Sequence, residues 1–277
     1  MASKIKLIIF TGVLAISYVI WGISISLVAP FYPTEAEKKG ATPSQYGLVF
    51  GVNNLAGFIA TPLIARYIPK IGGKIVILSG AFGISICLLS FGSLDYIQDT
   101  ITFISLSYVI RFINGFSIAA AFNTGNGFLL QQFPDNPSSV VGASNMCQGI
   151  GYIIGAPLGS YLYVIGGFSM PFFIFGPLAL LCSVALLVSV PDSSDDKSKG
   201  PSVGKAMTIN DVVINPSIWL SYFDLILVCC GLGFVDSMLA PFMIRKFGAS
   251  QMEIGMTLFI AGITFVSTSP LLGFVSI

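Results

Sequence analysis

Eight runs of about twenty or more mostly apolar residues dominate this chain, and that is the length an α-helix needs to cross a bilayer. They lie near 7–30, 46–68, 75–93, 101–132, 139–165, 171–190, 217–240 and 252–275. Only 9% of residues are charged, against about a quarter in soluble domains. A surface that poor in charge suits lipid, where each backbone polar group must be satisfied inside its own helix. The expectation is an all-α, multi-pass membrane protein. The first run follows Lys4 and Lys6, but it is too long for a signal peptide and no small-residue cleavage site follows. It reads as a retained span.

Lys and Arg divide unequally between the two ends of the spans. Lys4, Lys6, Arg66, Lys70, Lys74, Lys197, Lys199 and Lys205 fall on the N-terminal side, and Lys38, Lys39, Arg245 and Lys246 on the other. That bias predicts a cytoplasmic N-terminus. Residues 31–45 form a polar first loop. Residues 191–216 form the longest link, with Pro191, the acidic 192–196 stretch and Pro201, and read as a flexible cytoplasmic linker.

The chain repeats itself. Ala29-Pro30-Phe31 recurs as Ala240-Pro241-Phe242. Gly40-Ala41, Gly47 and Thr61-Pro62-Leu63 recur as Gly248-Ala249, Gly255 and Ser269-Pro270-Leu271, at a constant offset of 208. Helices one and two therefore resemble helices seven and eight, in the same orientation. A parallel six-plus-six repeat is the layout of the major facilitator fold, whose substrate site lies near mid-membrane between the halves. The divisions expected are a six-helix bundle over 1–190, the linker over 191–216 and an incomplete second bundle over 217–277. On this pattern, four more helices would complete the second half.

Ionisable groups inside a membrane are costly and are functional candidates by default. Asp224 and Asp236 both lie on the seventh span, roughly 18 Å apart along the axis, so they cannot act as one dyad. Asp224 is near the start of the span and can simply reach water. Asp236 follows Gly231 and Gly233 and precedes an expected break at Pro241. A carboxyl there can exchange a proton for a cation; a structural, hydrogen-bonded aspartate is the plainer alternative. Arg111 stays charged and needs a partner or a water-filled cavity; structural and gating roles both fit. Asn114, Asn53, Asn54, Asn123, Asn126, Asn145 and Gln148 supply uncharged polar groups, for a cavity or for interhelical hydrogen bonds. Gly151, Gly155 and Gly159 make a smooth stripe on the fifth span, with Pro157 favouring a kink.

Other chemistry is excluded by composition. The chain has no histidine, so proton chemistry falls to carboxylates. A net charge of +1 gives no field for nucleic acid. The five cysteines sit in apolar runs as small packing residues. No phosphate loop, metal cluster or nucleophile arrangement appears. Neither an enzyme nor a cofactor is expected.

Several segments resemble a known family. Gly151 to Ser160 looks like the antiporter motif of major facilitator proteins, with Ala156 and Ser160 as departures. Arg111 and Gly115 resemble the Arg-x-x-x-Gly of their fourth helix. Pro30 to Ala41, then Gly47-Leu-Val-Phe-Gly51, and Gly159 to Tyr163 followed by Met170-Pro-Phe-Phe173, are similar to the vesicular amine transporter family, solute carrier family 18, and especially its polyamine-transporting branch. The resemblance implies proton-coupled antiport of small organic cations into secretory, synaptic-type or other endomembrane vesicles, with Asp236 handling protons or cations. Two departures stand out. Pro69 replaces the aspartate expected after helix two. Trp21 replaces the helix-one carboxylate of monoamine carriers, which argues against a monoamine substrate. A drug or metabolite antiporter of the same fold and a non-transporting membrane protein are the alternatives.

Overall fold

The computed structural model describes residues 2–190 and 216–275, without the side chains of 2–5, of 265–275 and of part of 216–237. Nine α-helices fill the described residues, eight of them long: α1 (Ala2–Ser26), α2 (Tyr32–Lys38, the short one), α3 (Pro43–Ile71), α4 (Gly73–Gly92), α5 (Thr100–Gln132), α6 (Pro137–Gly166), α7 (Ser169–Ser189), α8 (Pro216–Phe247) and α9 (Gln251–Val275). Among the described residues six helices, α1 and α3 to α7, are long and apolar enough to cross a membrane. The outward faces are apolar; Val188 is 84% exposed and Leu181 66%, which suits lipid and not water. The linker expected over 191–216 lies outside the described residues, except for Pro216.

The six spans of the first half pack as two interlocked triplets. α3 lies against α5, and α1 against α6. The first two helices of each triplet, α1-α3-α4 and α5-α6-α7, thus pack against the first two of the other. α4 and α7 meet at the back, and α4 also lines α5. Nested three-plus-three repeats of this kind occur inside six-helix halves. Gly72, with φ at +98°, makes the whole connection between α3 and α4. Such a backbone angle is one that glycine adopts without steric cost.

The 208-residue repeat is visible in the backbone. Gly40 and Gly248 both take positive φ, +87° and +64°. Two residues later comes a capping residue, then a helix beginning at Pro43 or Gln251. The Thr42 N–H donates to Gln45 Oε1 at 2.8 Å and the Ser250 N–H to Glu253 Oε2 at 2.7 Å. Both are the reach-back half of a capping box.

Two expectations are corrected here. The first loop contains a helix, α2, started by Pro33 in its first turn, where the missing N–H costs nothing. The expected break at Pro241 is absent: α8 runs through it to Phe247. Proline removes one helical hydrogen bond, which membrane helices tolerate when neighbours cover the freed carbonyl, and Pro241 is buried.

An aromatic core holds the α2 end of the bundle. Phe31 stacks on Tyr163 at 4.9 Å, Tyr32 on Phe103 at 5.8 Å, and Phe91 meets Phe172 at 5.2 Å. Lys39 ties this core to the turn after α4. Its Nζ donates to the carbonyls of Leu94, Asp95 and Ile97 at 3.2, 3.0 and 2.6 Å, and stands 4.6 Å from the Phe103 ring centre. Burial lowers the Lys39 pKa, while Asp95 and Glu35 work against that. Lys39→Met keeps the stem but removes every one of these contacts. We expect it to cost about 2–4 kcal/mol, read as a lower thermal midpoint in detergent micelles; an unchanged midpoint would mean that the three carbonyls are equally well served by water.

Candidate functional site

The glycine stripe on α6 is a contact surface. A Cβ at Gly151 would overlap the Val19 carbonyl oxygen; at Gly155 it would stand 2.9 Å from the Ile23 carbonyl oxygen; at Gly159, 2.5 Å from that of Leu27. The stripe therefore seats the α1 backbone directly. Gly22 answers from the α1 side, where a Cβ would lie 2.9 Å from the Tyr152 nitrogen. The opposite face of α6 meets α9. A Cβ at Gly255 would lie 3.1 Å from the Pro157 Cα and 2.8 Å from the Ser160 Cβ; at Gly262, 2.7 Å from Ile153 Cγ1. α6 is thus clasped between a helix of its own half and a helix of the next. The sequence signalled the α6 stripe. It gave no sign that Gly22 of α1 answers the stripe, or that Gly255 and Gly262 of α9 pack on the other face of α6, since spacing on one helix does not identify the neighbour.

Arg111 and Asn114 come together; Asn53 stands apart from them. Arg111 is 4% exposed, with its guanidinium carbon 5.0 Å from the Phe91 ring centre and 5.8 Å from that of Phe50. Cation–π contact of this kind is an attractive setting for a charge out of water. Arg111, Asn114, Ser24 and Cys87 line a cavity of about 10 Å³, close to the room one water needs. Asn53 is buried on α3, at the seam with α5, where a Cβ at Gly115 would overlap its carbonyl oxygen. The glycine four residues after Arg111 therefore lets α5 close on α3. The Asn53 and Asn114 side-chain oxygens accept no hydrogen bond among the described residues.

A larger cavity, about 310 Å³, opens at the end of the bundle away from α2, between α1, α5 and α6. Thr11, Tyr18, Phe133, Ser139 and Ser144 line it. That volume is at the lower end of the range for small-molecule pockets. Tyr18 donates to Asn126 Oδ1 at 3.0 Å, and Asn123 donates to Thr61 Oγ1 at 3.3 Å. Both asparagines thus take the interhelical role. Sequence reasoning missed Tyr18, Ser139 and Ser144; small residues Ala15 and Ala143, which flank the same cavity, were the faint signal.

Asp224 and Asp236 lie on α8, and their side chains lie outside the described residues. The turn before Asp236 passes α3: a Cβ at Gly233 would stand 3.9 Å from Asn54 Nδ2.

At the α2 end, Lys38 pairs with Glu35 at 2.7 Å and donates to the Tyr163 hydroxyl at 3.0 Å. The Tyr163 hydroxyl in turn donates to Glu35. Hydrogen bonding to Glu35, then to Tyr163, raises the Lys38 pKa from 10.5 to about 12. A raised value means that its contribution is complete below 10.5 and is lost only as pH climbs through about 12. Lys38 is a fixed charge at any cellular pH.

The family model of the Major Facilitator Superfamily matches residues 14–276. The chain is 31% identical to the MFS-type transporter SLC18B1 of Rattus norvegicus over 251 residues, which cover 91% of this chain and 54% of that protein. Identity to the MFS-type transporter SLC18B1 of Homo sapiens is 30%, with the same coverage. It is 25% to Multidrug resistance protein MdtG of Escherichia fergusonii, over 91% of this chain and 62% of that one. The chain spans about half the length of the SLC18B1 proteins that it matches. These likenesses agree with the resemblance carried by residues 30–51 and by the fifth span. The chain is a polytopic helical membrane protein that belongs to the Major Facilitator Superfamily, a family of transporters and not of enzymes.

Proposed function

We propose that the protein exchanges protons for small organic cations, polyamines foremost, across a vesicle membrane, with its N-terminus in the cytoplasm. The observation that carries the antiporter reading is the α6 seam. Gly151, Gly155 and Gly159 seat α1, while Pro157 and Ser160 meet Gly255 of the second half. A backbone-close seam between halves suits rocking of one bundle against the other around a fixed site. Asp236 is the proton and cation carrier in this reading, with Asp224 nearer the cytoplasmic face. Arg111 and Asn114 gate access, while Asn53 belongs to the α3–α5 seam beside them. Polyamine as substrate rests on the resemblance of residues 30–51 and on Trp21, where monoamine carriers hold a carboxylate. MdtG is named for multidrug resistance, and a drug:proton antiporter is the nearest competing reading.

Uptake of labelled spermidine into proteoliposomes under an imposed proton gradient tests the proposal. Asp236→Asn is expected to reduce gradient-driven uptake to that of empty vesicles. Unchanged uptake would remove Asp236 from the coupling role. The second reading is a membrane protein that does not itself transport. Folded 1–277 that takes up neither spermidine nor cationic dyes would support it.

A further inference from the structure

We propose that Glu37 and Arg245 form a latch that holds the α2 end of the bundle shut, so that in this conformation the solute path opens only toward the opposite end. The inference rests on the transporter reading above and adds the gate to it. Arg245 Nη2 donates to Glu37 Oε1 at 2.8 Å, and Tyr46 donates to the same oxygen at 2.9 Å. Glu37 belongs to the first half and Arg245 to the last turn of α8 in the second. A second cross-link lies close by, where Gln251 Nε2 donates to Thr34 Oγ1 at 3.0 Å. Beneath both, Gly255 and Gly262 of α9 lie close against Ser160, Pro157 and Ile153 of α6. The 310 Å³ cavity lies at the other end.

The latch has a rigid base and a breakable contact. α2 carries Glu37 and is anchored by Tyr32 and Ala36, each with no exposed surface. The pair itself is accessible: the Glu37 side chain is 31% exposed and that of Arg245 65%. Ion pairs so placed add little to fold stability. One that bridges two halves is therefore better suited to being made and broken than to holding the fold together. Lys38 and Glu35, by contrast, pair within the first half and do not cross the seam.

Thiol labelling from each membrane face tests this. A cysteine replacing Ser160, which is wholly buried in the seam, reports on the α2 side; one replacing Ser144, in the larger cavity, reports on the opposite side. A charged, membrane-impermeant maleimide is applied to one face at a time, against a background without the added cysteine. Glu37→Gln and Arg245→Gln are each expected to speed labelling at position 160 by about two- to fivefold, the shift a partly exposed ion pair supports, and to slow it at position 144. Exchanging the charges, Glu37→Arg with Arg245→Glu, is expected to return both rates toward the parent's. Unchanged rates, faster labelling at both positions, or a charge exchange that restores nothing each overturn the latch. The readout uses no substrate. Loss of the polyamine reading therefore leaves the labelling result standing, and loss of the latch leaves spermidine uptake to be judged alone.

Discussion

Gly155→Leu is expected to prevent stable assembly of the first half. A Cβ at this position would stand 2.9 Å from the Ile23 carbonyl oxygen and 3.0 Å from the Ile23 Cα, and would overlap Ser26 Oγ. The first two obstacles are backbone, so no side-chain rotation relieves them. α1 would have to move away along its contact with α6, opening the seats of Gly151 and Gly159 as well. Overpacking of a dense interior costs about 1–3 kcal/mol when side chains can adjust, and more where backbone must shift. We expect a loss of about 3 kcal/mol or more, read in detergent as a collapse of the thermal midpoint or as failure to recover folded protein. Gly149→Leu is the control on the same helix. Nothing lies within 4 Å of a Cβ there, and leucine is the better helix former by about 0.8 kcal/mol. That variant is expected to be at least as stable as the parent. Equal melting of the Gly155 variant and the parent would show that α1 and α6 do not approach this closely.

Much of this architecture is legible in the chain because a bilayer imposes a simple code. Length and hydropathy alone mark the spans, and the 208-residue offset survives because Gly40 and Gly248 both need a left-handed backbone. What the sequence hides is pairing. Lys39 reads as one more charge in a polar loop, yet it holds three carbonyls and an aromatic ring. α2 is hidden because Pro33 and its charged neighbours look like turn chemistry; burial of Tyr32 and Ala36, a tertiary effect, makes the segment helical. Pro241 misleads in the opposite sense, since a local breaker is overruled by its surroundings. At the candidate site, charge at membrane depth flags Arg111. That Asn114 shares its cavity while Asn53 instead marks the α3–α5 seam depends on how α5 is rotated, which one sequence does not encode locally.

Arg111→Met is expected to leave the protein folded and to abolish transport, and that combination separates a functional arginine from a structural one. Methionine is close to arginine in length, and its thioether favours aromatic neighbours, here Phe50 and Phe91. The desolvation penalty goes with the charge, and methionine refills much of the same volume beside both rings. A stability change of no more than about 1.5 kcal/mol is therefore expected. Arg111→Ala is different: it leaves a void beside both rings and is expected to cost about 2–4 kcal/mol. If the arginine only fills space and braces the rings, uptake by each variant tracks the amount of folded protein, and the methionine variant transports like the parent. If it gates the cavity that it shares with Asn114 and Ser24, uptake per folded molecule falls to background in the methionine variant despite an intact fold. Arg111→Lys completes the test. It keeps the charge but loses the planar guanidinium, so partial recovery of uptake by lysine shows that the charge itself is used, and none shows that the shape of the guanidinium is required.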